Sequence, residues 1–198
     1  MKKALVIVAH PDDETIWMGG TILQNPTWEW TIFSLCRADD PDRAPKFKKV
    51  CKHLHAKPII TDLDDESEEP LSTEGIKETI LENLPKTNYD FIFTHGANGE
   101  YGHIRHVGVH EAVTELVKEK KIQCEKLWCF DYIPSKQKSM HDQETFIPIT
   151  NTKADWIIKL TDKQHKEKLK TITKIYEFKP PIFETKAAGK KEAFRSRK

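Results

Sequence analysis

Two hydrophobic patterns alternate along this chain: short runs that are apolar throughout, and longer stretches in which apolar residues return every three to four positions. Residues 3–9 (KALVIVA) are the clearest run of the first kind, the signature of a strand covered on both faces. Residues 28–36 (WEWTIFSLC), 57–61 (KPIIT), 90–95 (DFIFTH) and 126–132 (KLWCFDY) repeat it, and 153–160 (KADWIIKL) reads as a further β segment. Helical spacing fills the intervals. Residues 14–24 bring Ile16, Gly20 and Leu23 near one face, and 46–55 place Phe47, Val50, Cys51 and Leu54 on an amphipathic stripe. Residues 72–84 open on Ser72 or Thr73 as an N-cap, 104–120 form another helix, and 162–177 a polar last one that ends before Pro180 and Pro181. Strand and helix in regular alternation predict an α/β fold with a mainly parallel sheet.

The alternation is read as a Rossmann-like three-layer sandwich, the length suits one domain, residues 1–185, and the basic tail at 186–198, low in apolar residues, is expected to fray. A formal net charge of +1 offers no footprint for nucleic acid. No run approaches the roughly 18 apolar residues of a membrane span. The opening MKKALVIVAHPDDE superficially suggests a leader, but its apolar run falls short of the ~7–15 residues such a segment needs. It reads as a first buried strand of a cytoplasmic protein. The four cysteines form no closely spaced pair and read as reduced core residues. Composition leaves a homo-oligomer open.

In parallel sheets, ligands gather beyond the carboxyl ends of the strands. The loops at residues 10–14, 37–43 and 95–106 should therefore converge. The first holds His10, Asp12, Asp13 and Glu14. Imidazole and carboxylate suit Zn²⁺, and of two adjacent carboxylates one can bind an ion while the other accepts a proton. The same acids also suit a helix N-terminus with no further role. The third loop, GANGEYGHIRHVGVH, carries His103 and His106 three apart on one helical face, with His110 a turn further on. Taken singly, such histidines are as ordinary as surface or core residues.

Together, AHPDDE at residues 9–14 and GEYGH with a second histidine three residues on, at 99–106, resemble the PIG-L/LmbE-like family of zinc N-deacetylases. The resemblance continues more weakly through the Arg43-containing loop and the last helix, with Leu169 and Tyr176. It implies Zn²⁺ held by His10, Asp13 and His106, with Asp12 as general base and His103 as general acid or electrostatic partner. It also implies that Tyr101 steadies the oxyanion and that Arg43, or its rival Arg37, contacts substrate. The implied substrate is a small N-acetylated amino sugar of the N-acetylglucosamine type or its conjugate. Two departures stand out: Ile104-Arg105 replaces the family's frequent Pro-Asp, and the last helix lacks the His-x-x-Gln ending of many members. Arg105 beside His103 is expected to disfavour the imidazolium.

Two other classes compete. A metal-free sugar- or nucleotide-binding α/β module fits poorly, because His-Pro-Asp-Asp-Glu repels phosphate and no Gly-rich cradle follows the first strand. A zinc amidohydrolase acting on a non-sugar amide would use the same residues. A metalloprotease helix is excluded at His106 and His110, since Val107 stands where the glutamate is needed.

Overall fold

The computed structural model describes residues 1–67, 69–138 and 145–197; position 68 of the acidic segment and position 198 of the tail lie outside them. A seven-stranded sheet forms the centre, in the order β3-β2-β1-β4-β5-β9-β8. Its parallel half comprises β3 (Lys57–Ile60), β2 (Glu29–Ser34), β1 (Lys3–Val8), β4 (Asn88–Thr94) and β5 (Gln123–Phe130). Because β1 lies between β2 and β4, the chain reverses its direction of travel across the sheet at β1. The crevice beyond the carboxyl end of β1 is where such folds bind ligands.

Helices cover both faces, as the all-apolar strands require. Ile16, Trp17, Phe47 and Val50 from α1 (Asp13–Gln24) and α2 (Arg43–His53) join one core cluster with Ala4, Val6 and Val8 of β1. On the opposite face, Ile76 and Ile80 of α3 (Thr73–Asn83) and Val109, Val113 and Leu116 of α5 (Ile104–Lys118) pack on Leu5 and Ile7. The one-turn α4 (Gly99–Gly102) precedes α5, and a separate hairpin of β6 (Tyr132–Lys138) and β7 (Phe146–Thr150) follows β5. β8 (Trp156–Lys159) comes next, and the helix expected over 162–177 divides into α6 (Asp162–Lys170) and a π-helical turn (Thr171–Ile175), followed by α7 (Phe183–Ala187).

The tail departs from the sequence reading. Instead of fraying, residues Lys191–Arg197 form β9, antiparallel to both β5 and β8 and hence inside the sheet. Its charges have partners that composition does not reveal: Arg195 meets Asp131 at 2.7 Å, and Phe194 packs among Phe93, Phe130 and Trp156. Glu192 is fully buried. It accepts from the backbone N–H of Gly20 (2.8 Å) and Thr21 (2.7 Å), from Thr21 Oγ1 (2.6 Å) and from Lys168 Nζ (2.7 Å). One carboxylate thus ties β9 to α1 and α6. Among the described residues no helix is long and apolar enough to cross a membrane.

Candidate metal centre

His10 leaves the end of β1 and Asp13 begins α1, so the short turn between them folds the two side chains together. The His10 backbone N–H donates to Asp13 Oδ2 (2.8 Å), and Trp17 Nε1 donates to Asp13 Oδ1 (2.9 Å), which fixes the carboxylate. His106, in the first turn of α5, reaches in from the neighbouring loop and is 1% exposed. Three atoms then face one point. His10 Nδ1 lies 3.4 Å from Asp13 Oδ2, His106 Nε2 lies 3.4 Å from the same oxygen, and the two nitrogens are 3.3 Å apart. Ligand atoms of a tetrahedral Zn²⁺ site with bonds of about 2.0–2.1 Å stand roughly 3.3–3.4 Å from one another. The chemistry of the donor set, two imidazoles and a carboxylate, suits the same ion.

The far side of each ring is engaged. His10 Nε2 meets Asp65 Oδ1 at 2.8 Å, and His106 Nδ1 meets Glu100 Oε2 at 2.6 Å. A carboxylate behind a ligating imidazole fixes its tautomer and raises its basicity. The same Glu100 oxygen meets His95 Nδ1 at 2.8 Å, while His95 Nε2 accepts from the Ala9 N–H at 3.0 Å. Hence His95, though grouped with Asp13 and His106 by distance, has both ring nitrogens occupied. Glu100 is held at φ 60°, and Gly96 donates to its Oε1 at 2.7 Å. A side chain at Gly96 would collide with the Phe130 carbonyl, so only glycine brings that N–H so close.

Asp12 stands apart from the three donors. Its backbone has φ 114°, held in place by Glu14, which accepts the Asp12 N–H at 3.1 Å and the Tyr176 hydroxyl at 2.9 Å. Although it is the N-cap of α1, its side chain makes no capping bond; Oδ2 instead meets Arg43 Nη1 at 3.1 Å. Burial, and then the charge of Asp13, push its carboxyl well above the usual carboxylate range, with Arg43 opposing. That is the disposition of a group that takes up a proton. Arg43 in turn lies over the Phe178 ring, 4.3 Å from its centroid.

His103 caps α5. Its Nδ1 accepts the Arg105 N–H at 3.2 Å, so the ring proton sits on Nε2. Its pKa falls to about 3, chiefly through burial and then the charges of His106 and His10. The direction agrees with the sequence reading, but the cause does not. Arg105 plays no part, because its guanidinium points away from His103 into the loop after β3. Tyr101 lies against Phe183 (4.8 Å between centroids) and His106 (5.5 Å). Burial, then the nearby Asp13 and Asp12, push its hydroxyl up, so it remains a phenol. Arg37, at φ 74°, pairs with Asp65.

His10, Asp12, Asp13, Arg37, Arg43, Tyr101 and His103 thus line one cavity of about 210 Å³, and His106 packs against the lining residues Trp17 and Tyr101. Given no role in the sequence reading were Asp65, Glu100, His95, Phe183 and Glu14, the last taken only as a possible helix N-terminal acid. Asp65 hid in the acidic run DLDDESEEP, read as a surface loop, and Glu100, though part of the GEYGH motif, received no role.

The PIG-L: GlcNAc-PI de-N-acetylase family matches residues 5–117. An uncharacterised protein of Acanthamoeba polyphaga mimivirus is 26% identical over 127 residues, 57% of this chain and 56% of that protein, so the chain spans about half the length of this curated relative. The N,N'-diacetylchitobiose deacetylase of Pyrococcus horikoshii shares the fold with TM-score 0.70 at 20% identity, over 99% of this chain and 84% of that one. So does the 4-carboxy-2-hydroxymuconate hydratase GalB of Pseudomonas putida, with TM-score 0.61 at 14% identity over 99% and 96%.

Proposed function

The chain belongs to the PIG-L: GlcNAc-PI de-N-acetylase family, and on that footing we propose that it is a zinc-dependent hydrolase releasing acetate from the amide nitrogen of a small N-acetylglucosamine-type sugar. The observation that carries the zinc assignment is the set of mutual distances among His10 Nδ1, Asp13 Oδ2 and His106 Nε2, 3.3–3.4 Å. When bound, Zn²⁺ supplies Lewis acidity, which polarises the amide carbonyl and makes water a better acid.

The remaining steps belong to the side chains. Asp12 takes the proton from the attacking water, with its raised pKa matched to that task. The phenol of Tyr101 donates to the carbonyl oxygen as negative charge develops there. His103, neutral and with its proton on Nε2, offers a hydrogen bond toward the leaving nitrogen, and the proton that Asp12 took from water passes to that nitrogen as the C–N bond breaks, releasing acetate and the free amine. Arg43 and Arg37 address the hydroxyl groups of the sugar. The cavity of about 210 Å³ suits a single sugar ring better than the interior of a long polymer.

The test combines metal analysis of the purified protein with acetate release from a panel of N-acetylated sugars and non-sugar amides. About one Zn²⁺ per chain is expected, lost in His106→Ala, with turnover confined to the sugars. Turnover of the amides instead would move the substrate class, and a chain without metal or turnover would remove the reading altogether.

Arg43 carries a further expectation. Because it contacts Asp12 and also lines the cavity, Arg43→Ala should lower kcat as well as raise KM. A hydrogen bond to a charged group is worth about 1.5–3 kcal/mol, tenfold or more in kcat/KM. A change in KM alone would show that the contact with Asp12 is idle.

A further inference from the structure

Behind the three converging donors lies a second set of contacts, which runs from Arg105 through the loop after β3 to His10. Arg105 immediately precedes His106 in α5, is 2% exposed, and turns away from the cavity. Its Nε donates to the Asp64 carbonyl (2.7 Å), Nη1 to the Glu69 carbonyl (2.7 Å) and Nη2 to the Ser67 carbonyl. One guanidinium therefore holds three backbone oxygens of the loop after β3, which its planar fork can do and a lysine ammonium, a point charge, cannot reproduce. The residue next to the first of these is Asp65. Its Oδ1 lies 2.8 Å from His10 Nε2, and its Oδ2 takes both Nε and Nη2 of Arg37. A carboxylate facing Nε2 accepts, so His10 carries its ring proton there and turns a bare Nδ1 toward Asp13 and His106.

We infer that Arg105 and Asp65 are positioning residues acting as one relay, in which Arg105 fixes the loop, the loop presents Asp65, and Asp65 sets the tautomer and orientation of His10. The relay gives position 105, where the sequence departs from its family's frequent aspartate, a task unrelated to His103. It also explains a buried arginine whose side-chain nitrogens are spent on backbone carbonyls. The inference rests on the proposed cation site, and its test separates the two.

The probe is Zn²⁺ itself, titrated into purified full-length protein against a chromophoric chelator, with circular dichroism as the check on folding. The wild-type chain should take one equivalent. Arg105→Ala and Asp65→Ala should each weaken binding by roughly 10–100-fold, the usual effect of losing a partner behind a metal ligand. The double variant should be no weaker than the worse single one, since both act through one contact. Asp65→Asn should recover much of the affinity, because its amide oxygen still accepts; Arg105→Lys should not recover it. Glu69→Ala should bind as the wild type does, because Arg105 holds the backbone of that residue. If the wild type binds Zn²⁺ and Asp65→Ala binds it equally well, the relay is overturned while the site stands. If Arg105→Ala does not fold, the pair Asp65→Ala and Asp65→Asn decides. A wild-type chain that takes up no Zn²⁺ overturns the site reading and this inference with it.

Discussion

Asp12→Asn is expected to lower turnover by roughly 10²-fold or more, the scale of removing a proton-transfer group, while the protein keeps its cation. Asparagine preserves the shape of the side chain and an oxygen for Arg43 Nη1, now 3.1 Å from Asp12 Oδ2, but it cannot take up a proton. Its neighbour should behave in the opposite way. Asp13 Oδ2 is one of the three facing atoms, 3.4 Å from each imidazole nitrogen, so Asp13→Asn should release the metal and lose activity for that reason. Zinc content measured beside acetate release in the two variants checks both roles at once. Metal lost at Asp12 and kept at Asp13 would exchange the assignments.

The second large effect concerns folding. Glu192→Ala should destabilise the protein by about 3–5 kcal/mol, because it leaves Lys168 buried without its counter-charge and removes the acceptor of the Gly20 and Thr21 N–H groups. Replacing both partners, Lys168→Met with Glu192→Gln, should restore most of the loss, since the glutamine oxygen still accepts and no buried charge remains. Urea unfolding followed by circular dichroism reads the midpoint. A loss below about 1 kcal/mol for Glu192→Ala would mean that β9 is held by its apolar contacts alone.

How much of this the sequence disclosed follows from where each signal resides. The parallel half of the sheet was legible because β1, β2 and β4 are apolar on both faces. His10, Asp12 and Asp13 were legible because three reactive side chains stand side by side at the end of such a run. Asp65 and Glu100 were not. Both are carboxylates whose importance comes from distant partners, His10 lying 55 residues from Asp65, and no local periodicity marks that. Arg105 misled by adjacency: two positions from His103 along a helix start, the side chains diverge. The tail misled by composition. Its Arg195 meets both Asp131 and Asp155, which flank neighbouring strands, so a segment that looks unable to pay for order on its own is completed by its neighbours.

The backbone of Asp12, at φ 114°, has an evolutionary consequence. A residue with a side chain in such a conformation costs of order 1–3 kcal/mol, and glycine would relieve most of that strain. Selection for thermal resistance alone would therefore favour glycine at this position and, in doing so, discard the proposed base. Robustness and turnover compete for the same residue, and the presence of aspartate there records which of the two has prevailed.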